Sequence, residues 1–279
     1  MKMKEAVIFG EKELASLEYP YLESTLLLCH ALGISKEKLF SLFSDEISEK
    51  QFTAFTDLVS RRKKGIPAAY ITGKKEFWSR DFIVSSDVLI PRPDTEILVE
   101  TAVKIIRENK LKRVLDLCTG SGCIAVSLAL ELPECRISAS DISEKAYMIF
   151  TENCSRHNVN INFILSDLFS GIDSEFDMIV TNPPYLTDLE VRKMQEEGLY
   201  EPSLALSAGS DGLDIIRKII KYSADYLSKA GYLLIEASND QCDDIECIMI
   251  DSGYCQTGIV NDLAGRKRVI SGRINGNKA

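Results

Sequence analysis

The stretch Arg-Val-Leu-Asp-Leu-Cys-Thr-Gly-Ser-Gly, residues 113–122, decides the fold. Residues 113–117 are typical of a buried strand, and the segment from 123 to 132 is typical of a helix. Gly120 and Gly122 allow the chain between these elements to turn tightly, and they let a ligand approach the backbone. The stretch therefore predicts a strand, a glycine loop and a helix at the edge of a ligand site.

Acidic residues follow the next two predicted strands. Asp141 ends the first of them, where a carboxylate can accept hydrogen bonds from both hydroxyls of a ribose. Asp167 follows the second and is placed to meet the exocyclic amine of an adenine, with Leu168 covering the ring; a turn or helix cap is the alternative role for Asp167. The glycine loop and these acids predict a nucleoside ligand. NAD matches less well, because the loop lacks the third glycine of G-x-G-x-x-G and begins with Cys118.

Strands and helices alternate along this part of the chain. The predicted strands are 113–117, 136–140, 161–165, 176–181, 232–236, 255–260 and 268–271. The predicted helices are 123–132, 144–156, 213–228 and one that begins at 240. This alternation predicts a mostly parallel sheet with helices on both faces and a ligand site at the carboxyl ends of the strands.

The sequence Asn182-Pro183-Pro184-Tyr185 directly follows the apolar strand 176–181. Two consecutive prolines remove two backbone donors and stiffen the segment, so its carbonyls remain free to accept hydrogen bonds. A planar NH2 group is a poor nucleophile because its lone pair is delocalised. Acceptance of its two N–H bonds, by the Asn182 side-chain oxygen and the Pro183 carbonyl, orients the nitrogen and stabilises its developing positive charge. With Tyr185 as a flat apolar wall, the segment predicts a site for an amide or amino nitrogen.

Residues 1–71 are predicted to form a separate helical domain. Apolar residues, among them Leu22, Leu26 and Cys29, recur at helical spacing from Glu11 to about Lys64 and indicate several short helices. The basic run 61–64 is typical of a helix end; contact with an acidic or RNA-bearing partner is the alternative.

Residues 72–90 are interpreted as a β-hairpin linker, with strand-like texture already at Tyr70-Ile71-Thr72 and a turn at Ser79-Arg80-Asp81. Pro93 and the acids beside it then predict the start of a helix that runs to about Glu108. Residues 91–279 complete the sheet-bearing domain.

Composition bounds the function further. The chain has 279 residues, 45% hydrophobic and 27% charged, which is typical of a soluble globular protein. Its net charge of -9 opposes binding to a nucleic-acid backbone, so no direct nucleic-acid partner is expected. It lacks both a run of about 20 apolar residues and a signal peptide, so we expect a cytoplasmic protein without membrane contact.

Eight cysteines show no C-x-x-C pair and no short spacing to His30 or His157. No metal site is therefore expected, and the thiols are interpreted as reduced.

Five segments together resemble the HemK/PrmC family of peptide chain release factor glutamine methyltransferases. They are Ile90-Pro91-Arg92-Pro93-Asp94-Thr95-Glu96, Asp116 to Gly122, Asn182 to Tyr185, Glu201-Pro202-Ser203-Leu204-Ala205-Leu206 and Asp262-Leu263-Ala264-Gly265-Arg266. The resemblance implies a Rossmann-like class I S-adenosylmethionine-dependent methyltransferase domain with a small N-terminal helical domain. It also implies methylation of the glutamine in the Gly-Gly-Gln motif of bacterial release factors, with S-adenosylhomocysteine as the other product.

The resemblance assigns roles to residues. It implies that the cofactor is held by Cys118, Thr119, Gly120, Ser121, Gly122, Asp141, Asp167, Leu168 and Asn182. Asn182, Pro183, Pro184 and Tyr185 would receive the glutamine amide, and the N-terminal helices would recognise the folded substrate. Arg92, Thr95 and Glu96 would lie near the cofactor or the substrate channel.

This chain departs from the family pattern at two positions. Cys118 stands where glycine is frequent, which is tolerated if the position needs no positive φ. Leu168 stands where an aromatic residue can occur, so stacking on adenine would be weaker.

Three other functions stay open at this point. A glutamine methyltransferase acting on a ribosomal protein would carry nearly the same motifs. A nucleic-acid adenine methyltransferase uses the same acceptor geometry but must extrude a base and grip phosphates. A cofactor-binding scaffold without activity would have no use for Asn182-Pro183-Pro184-Tyr185.

Overall fold

The computed structural model describes residues 1–198 and 200–275. The chain divides into two compact units, Met1–Lys74 with Gln195–Tyr200, and Lys75–Met194 with Glu201–Ala279. Helices make up the first unit, and a seven-stranded sheet runs through the second. The division at Lys74 falls inside the segment interpreted as a linker.

The first unit packs its helices around a core that includes the fully buried side chains of Leu27, Leu28, Leu39 and Phe55. Its helices are α1 (Met3–Glu13), α2 (Pro20–Leu32), α3 (Lys36–Ser41), α4 (Glu49–Lys63) and α5 (Ala68–Thr72). The helical class is confirmed, although α1 begins well before the predicted start. The predicted apolar face of α2 was partly wrong, since Leu22 and Leu26 are exposed. In an apolar helix, packing against neighbouring elements determines which face is buried.

The basic run at the end of α4 closes that helix, as predicted. Arg62 forms an ion pair with Glu23 at 2.9 Å, and Lys63 forms one with Glu13 at 2.9 Å. These two cations therefore have partners within their own unit, and they also suit the negative end of the helix.

The strand-like texture at Tyr70-Ile71-Thr72 was misleading, because these residues lie in α5. Pro67 precedes the helix and Gly73, with a φ of 72°, ends it. A proline at the start of a segment and a glycine at its end favour a short helix, and they outweigh the strand propensity of the three residues.

The predicted β-hairpin is present, with strands β1 (Lys74–Phe77) and β2 (Arg80–Ile83). Its turn was predicted slightly late: Trp78 and Ser79 form it, with φ angles of 52° and 56°. Two consecutive positive φ angles are typical of the tight turn whose twist matches a hairpin. The indole nitrogen of Trp78 donates to Glu131 Oε1 at 3.0 Å, which holds the hairpin against the sheet-bearing unit.

The main sheet has the order β5-β4-β3-β6-β7-β9-β8. Its strands are β3 (Arg113–Leu117), β4 (Arg136–Asp141), β5 (Asn162–Leu165), β6 (Phe176–Thr181), β7 (Leu227–Glu236), β8 (Tyr254–Asn261) and β9 (Lys267–Ile274). The strands from β5 to β7 are parallel, and β9 pairs antiparallel with both β7 and β8. The mostly parallel sheet is confirmed.

The strand order reverses between β3 and β6, where crevices for ligands form in sheets of this kind. Leu117 pairs with Ser140 on one side and with Thr181 on the other. Cys118, Asp141 and Asn182 therefore follow their strands at the same edge of the sheet.

Helices cover both faces of the sheet. They are α6 (Glu96–Asn109), α7 (Cys123–Glu131), α8 (Glu144–His157), α10 (Asp214–Tyr226) and α11 (Cys242–Asp251). A further helix, α9 (Asp188–Glu196), follows the Asn182-Pro183-Pro184-Tyr185 segment along the chain. Side chains of one strand alternate between two cores: Val114 packs with α6 and α7, and Leu115 packs on the opposite face with α10 and α11. Within residues 1–198 and 200–275, no helix combines the length and the apolar character of a membrane span.

Candidate active site

A cavity of about 380 Å³ opens at the carboxyl ends of β3, β4, β5 and β6. It is lined by most of the residues predicted to hold a cofactor: Cys118, Thr119, Gly120, Ser121, Asp141, Asp167, Leu168 and Asn182. Gly122 is not among its lining residues. An added Cβ at Gly122 would lie 2.6 Å from the ring of Phe150, so this glycine is required for helix packing.

The glycine loop leaves room for a ligand at Gly120. This residue has a φ of 53°, and no described atom beyond its chain neighbours lies within 4 Å of an ideal Cβ there. A side chain at this position would project from the cavity wall, where a ligand can approach the backbone closely. The Gly120 amide donates to Asp141 Oδ2 at 2.9 Å, which ties the loop to the end of β4.

Asp116 holds the loop from beneath. Its fully buried Oδ2 accepts hydrogen bonds from Thr119 Oγ1 at 2.6 Å and from the Ala125 amide at 3.0 Å. Burial raises the pKa of Asp116 to about 7, against the opposing effect of these hydrogen bonds. Sequence reasoning noted this residue only as part of the motif, because its partners appear only once the loop is folded.

Cys118 was expected to be tolerated if its position needs no positive φ, and this condition is not met. Its φ is 62°, so the position does adopt the left-handed conformation that favours glycine. A non-glycine residue costs about 1–2 kcal/mol in this conformation. Burial raises the pKa of the Cys118 thiol, so the side chain lines the cavity as a neutral group.

Asp141 presents a carboxylate with spare accepting capacity. Its Oδ1 accepts from the Ser143 amide at 3.0 Å and its Oδ2 from the Gly120 amide, and the Ile142 amide is a third backbone donor to this carboxylate. Burial raises the pKa of Asp141, and the backbone donors oppose that rise. A carboxylate has about four accepting positions, so Asp141 can accept a further hydrogen bond, as recognition of a ribose hydroxyl requires.

Asp167 is exposed and faces the cavity beside Leu168. The turn-capping role that was its alternative is filled by Ser166. Ser166 Oγ donates to the Leu168 carbonyl and accepts from the Gly171 amide, both at 2.8 Å. The Asp167 carboxylate is left available to a ligand.

Asn182 lies between two cavities. It lines the larger one and also a second cavity of about 110 Å³, whose walls include Pro183, Tyr185 and Met194. Its Nδ2 donates to Thr95 Oγ1 at 3.2 Å. Its Oδ1 is buried and has no hydrogen-bond partner among the described residues, which is a costly arrangement unless a ligand supplies the donor. Burial raises the pKa of Tyr185 to about 12, so its phenol is a neutral wall.

The structure separates the roles of Arg92, Thr95 and Glu96. Arg92 and Thr95 line the larger cavity, whereas Glu96 is absent from its lining and accepts a hydrogen bond from the Trp78 amide at 2.8 Å. Arg92 forms a short ion pair with Glu201.

Glu201 also accepts from the Ile90 amide at 3.0 Å. This hydrogen bond and the ion pair with Arg92 join the segments that begin at Ile90 and Glu201 into one wall of the larger cavity.

Glu236 is a buried residue that sequence reasoning did not assign. It ends β7, and its Oε1 accepts a hydrogen bond from Thr95 Oγ1 at 3.2 Å. Its position after an apolar strand, as for Asp141, was the available signal. Among the residues that the structure describes, no group of three or more His, Cys, Asp or Glu side chains is arranged to hold a metal ion.

These residues fit S-adenosylmethionine. Gly120 provides a cradle that a side chain would fill, Asp141 has accepting capacity left for a ribose, and Asn182, which lines both cavities, has a buried acceptor without a described partner. The fold and this site define a class I S-adenosylmethionine-dependent methyltransferase.

Comparison with known families and sequences narrows this class. Residues 93–206 match the Methyltransferase small domain model, and residues 5–73 match the PrmC N-terminal domain model. A release factor glutamine methyltransferase of Koribacter versatilis is 38% identical over 98% of this chain and 99% of its own length. Another, from Geobacter sulfurreducens, is 37% identical over 92% of this chain and 91% of its own. The chain belongs to the release factor glutamine methyltransferase family.

Solved structures confirm the fold. A T. thermophilus 16S rRNA methyltransferase in complex with AdoMet and guanosine aligns with a TM-score of 0.53, at 15% identity, over 72% of this chain and 50% of that one. A ribosomal protein L11 methylase from Lactobacillus delbrueckii aligns with a TM-score of 0.50, at 18% identity, over 72% and 88% of the two chains.

Proposed function

We propose that this protein transfers the methyl group of S-adenosylmethionine to the side-chain amide nitrogen of the glutamine in the Gly-Gly-Gln motif of peptide chain release factors. The observation that carries the proposal is the buried, unpartnered Oδ1 of Asn182, a residue that lines both cavities. The names of the related proteins support the same substrate.

The larger cavity is the proposed cofactor site. Gly120 gives a ligand access to the backbone, Asp141 accepts from the ribose hydroxyls, and Asp167 accepts from the adenine amine beside Leu168. The cofactor supplies a methyl group on a sulfonium centre, whose leaving group is a neutral thioether. The protein's contribution is to hold the acceptor nitrogen in line with that methyl group.

The second cavity is the proposed acceptor site. Asn182 Oδ1 and the Pro183 carbonyl accept the two N–H bonds of the glutamine amide, and Tyr185 packs against its plane. These acceptors orient the nitrogen and stabilise the positive charge that develops as it bonds to the methyl group. The nitrogen gains the methyl group, the neutral thioether leaves, and the proton that the nitrogen loses passes to solvent water. Because the methyl group is already bound to a good leaving group, the reaction needs no covalent enzyme intermediate.

The division of labour along the chain is part of the proposal. Residues 1–71 recognise the folded substrate, residues 72–90 connect the two domains, and residues 91–279 carry out methyl transfer. A protein substrate that works in translation places the enzyme in the cytoplasm. Contact with a membrane or with nucleic acid has no part in this reaction.

A comparison of three acceptors tests the proposal. The protein is incubated with labelled S-adenosylmethionine and three acceptors in separate reactions: a release factor, total ribosomal protein, and deproteinised nucleic acid. We expect label only in the release factor, and none in a matched release factor whose Gly-Gly-Gln glutamine is replaced by alanine. Label in ribosomal protein or in nucleic acid, but none in the release factor, would show that the proposed substrate is wrong. The methyltransferase chemistry would still hold.

A further inference from the structure

Three polar side chains from distant parts of the sequence form a chain of hydrogen bonds behind the proposed acceptor site. Asn182 Nδ2 donates to Thr95 Oγ1, and Thr95 Oγ1 donates to Glu236 Oε1, each at 3.2 Å. Thr95 is 2% exposed and Glu236 is 1% exposed, so water does not compete for these bonds. Asn182 follows β6, Glu236 ends β7, and Thr95 precedes α6.

The direction of these bonds determines how the Asn182 amide faces. A carboxylate oxygen only accepts, so the single hydroxyl proton of Thr95 is directed to Glu236. The Thr95 oxygen can then only accept from Asn182, which turns the NH2 end of that amide toward Thr95. The carbonyl end, Oδ1, is left on the opposite side, where the structure has it buried without a described partner.

The opposite amide orientation would place the Asn182 NH2 group against the NH2 group of the substrate. Two donors would then face each other, and the nitrogen to be methylated would lose an acceptor. Asparagine alone has no preference between the two orientations, because its oxygen and nitrogen ends are nearly equal in size.

We infer that Thr95 and Glu236 are positioning residues, which act by orienting the Asn182 amide so that its oxygen accepts from the acceptor nitrogen. This inference rests on the proposed function, because it concerns the same acceptor site. Neither residue needs to touch the substrate for this effect.

Protonation of Glu236 on Oε2 leaves the direction of these hydrogen bonds unchanged. Burial raises the pKa of Glu236 to about 7, while the Thr95 hydrogen bond and Arg268 act in the opposite direction. Its Oε2 is buried without a described partner, so a proton bound there leaves Oε1 as the acceptor for Thr95.

The test compares Thr95→Val, which keeps the shape and removes the hydroxyl, with Thr95→Ser, which keeps the hydroxyl. We expect Thr95→Val to lower kcat with a release factor by about tenfold or more, as for a lost buried hydrogen bond. Thr95→Ser should remain within about threefold of wild type. Because Thr95 also lines the cofactor cavity, the affinity for S-adenosylhomocysteine is measured for both variants and should differ little between them.

A double-mutant cycle with Asn182→Ala separates positioning from a general structural effect. If Thr95 acts through Asn182, Thr95→Val should cause no further loss of kcat in the Asn182→Ala background. An equal fold-loss in both backgrounds would overturn the inference, as would a Thr95→Val variant with wild-type kcat.

Glu236 gives an independent version of the test if Thr95→Val fails to fold. Glu236→Gln retains an acceptor oxygen but also brings an NH2 group that can face Thr95, so it should lower kcat less than Glu236→Leu, which removes the acceptor and should lower kcat about tenfold. Equal activity of these two variants would overturn the inference. Wild-type protein that transfers no methyl group to the release factor would overturn the proposed function as well, and this control is measured first.

Discussion

Gly120 offers a test of the cofactor site in which the structure supplies its own control. Gly120→Ala places a methyl group on the wall of the larger cavity, with no described atom within 4 Å beyond the chain neighbours. Gly33, which closes α2, has a similar φ of 65° and equally open surroundings among the described atoms, and it belongs to the other unit. Gly33→Ala is therefore the matched control.

The backbone cost is the same for both variants. Alanine in a left-handed conformation costs about 1–2 kcal/mol, so both should lose about that much free energy of unfolding. The difference lies in binding. The added methyl group at residue 120 occupies space on the wall of the proposed cofactor site, and we expect a loss of at least tenfold in affinity for S-adenosylhomocysteine, about 1.4 kcal/mol.

The assay pairs isothermal titration calorimetry with S-adenosylhomocysteine and urea unfolding followed by circular dichroism. Gly33→Ala should bind like wild type despite its lower stability. Wild-type affinity in Gly120→Ala would refute the placement of the cofactor against this loop. An equal loss of affinity in both variants would show that binding responds to stability alone.

Asn182→Ala should lower kcat with a release factor by two or more orders of magnitude, with a much smaller change in cofactor affinity, because it removes an oriented acceptor. Equal losses of kcat and of the cofactor affinity measured by calorimetry would contradict that role. Asp141→Asn should do the reverse, weakening cofactor affinity about tenfold while kcat at saturating cofactor changes little; a fall confined to kcat would be inconsistent with a ribose contact. Asp177→Asn tests stability away from the site: burial would raise the pKa of Asp177, but hydrogen bonds from Arg113, from backbone amides and from Ser228 outweigh it and lower the pKa to about 2. This group stabilises the fold above its unfolded pKa of 3.8 and stops doing so as pH falls through about 2. After allowance for solvent screening, the variant should lose about 1 kcal/mol at pH 7, and the difference from wild type in urea unfolding should narrow between pH 4 and pH 2; a constant difference across that range would point to packing instead.

The sheet could be predicted from sequence because its strands are short apolar runs bounded by polar or turn-forming residues. β6 was predicted at its observed bounds, since Phe176–Thr181 is apolar and Asn182-Pro183 stops it. β7 begins earlier than predicted, at Leu227. An irregular register against β6 and a φ of 62° at Ala230 allow a less apolar stretch to join the ladder.

The cavity-lining residues could be predicted because each follows its own strand, and strand ends meet at one edge of a parallel sheet. Asp141 and Asn182 are examples. The partners behind them could not be predicted in this way. Thr95 and Glu236 are 141 residues apart in the chain, and only the folded sheet brings them together behind Asn182.

The backbone angle of Cys118 shows a second limit. A strand followed by glycines indicates a loop, but it does not say at which residue the chain first turns left-handed. The structure places that turn at Cys118 itself. A non-glycine residue there is tolerated at a modest energetic cost, which the buried hydrogen bonds of Asp116 and Thr119 offset in this loop.

The central claim, methyl transfer to a release-factor glutamine, is tested most directly by tandem mass spectrometry of a release factor after incubation with S-adenosylmethionine and this protein. We predict the gain of one methyl group on the side-chain amide of the Gly-Gly-Gln glutamine, and a gain at least about a hundredfold slower with Asn182→Ala protein. A methyl group on another residue, or an unmodified release factor in the presence of active cofactor-bound protein, would contradict the account.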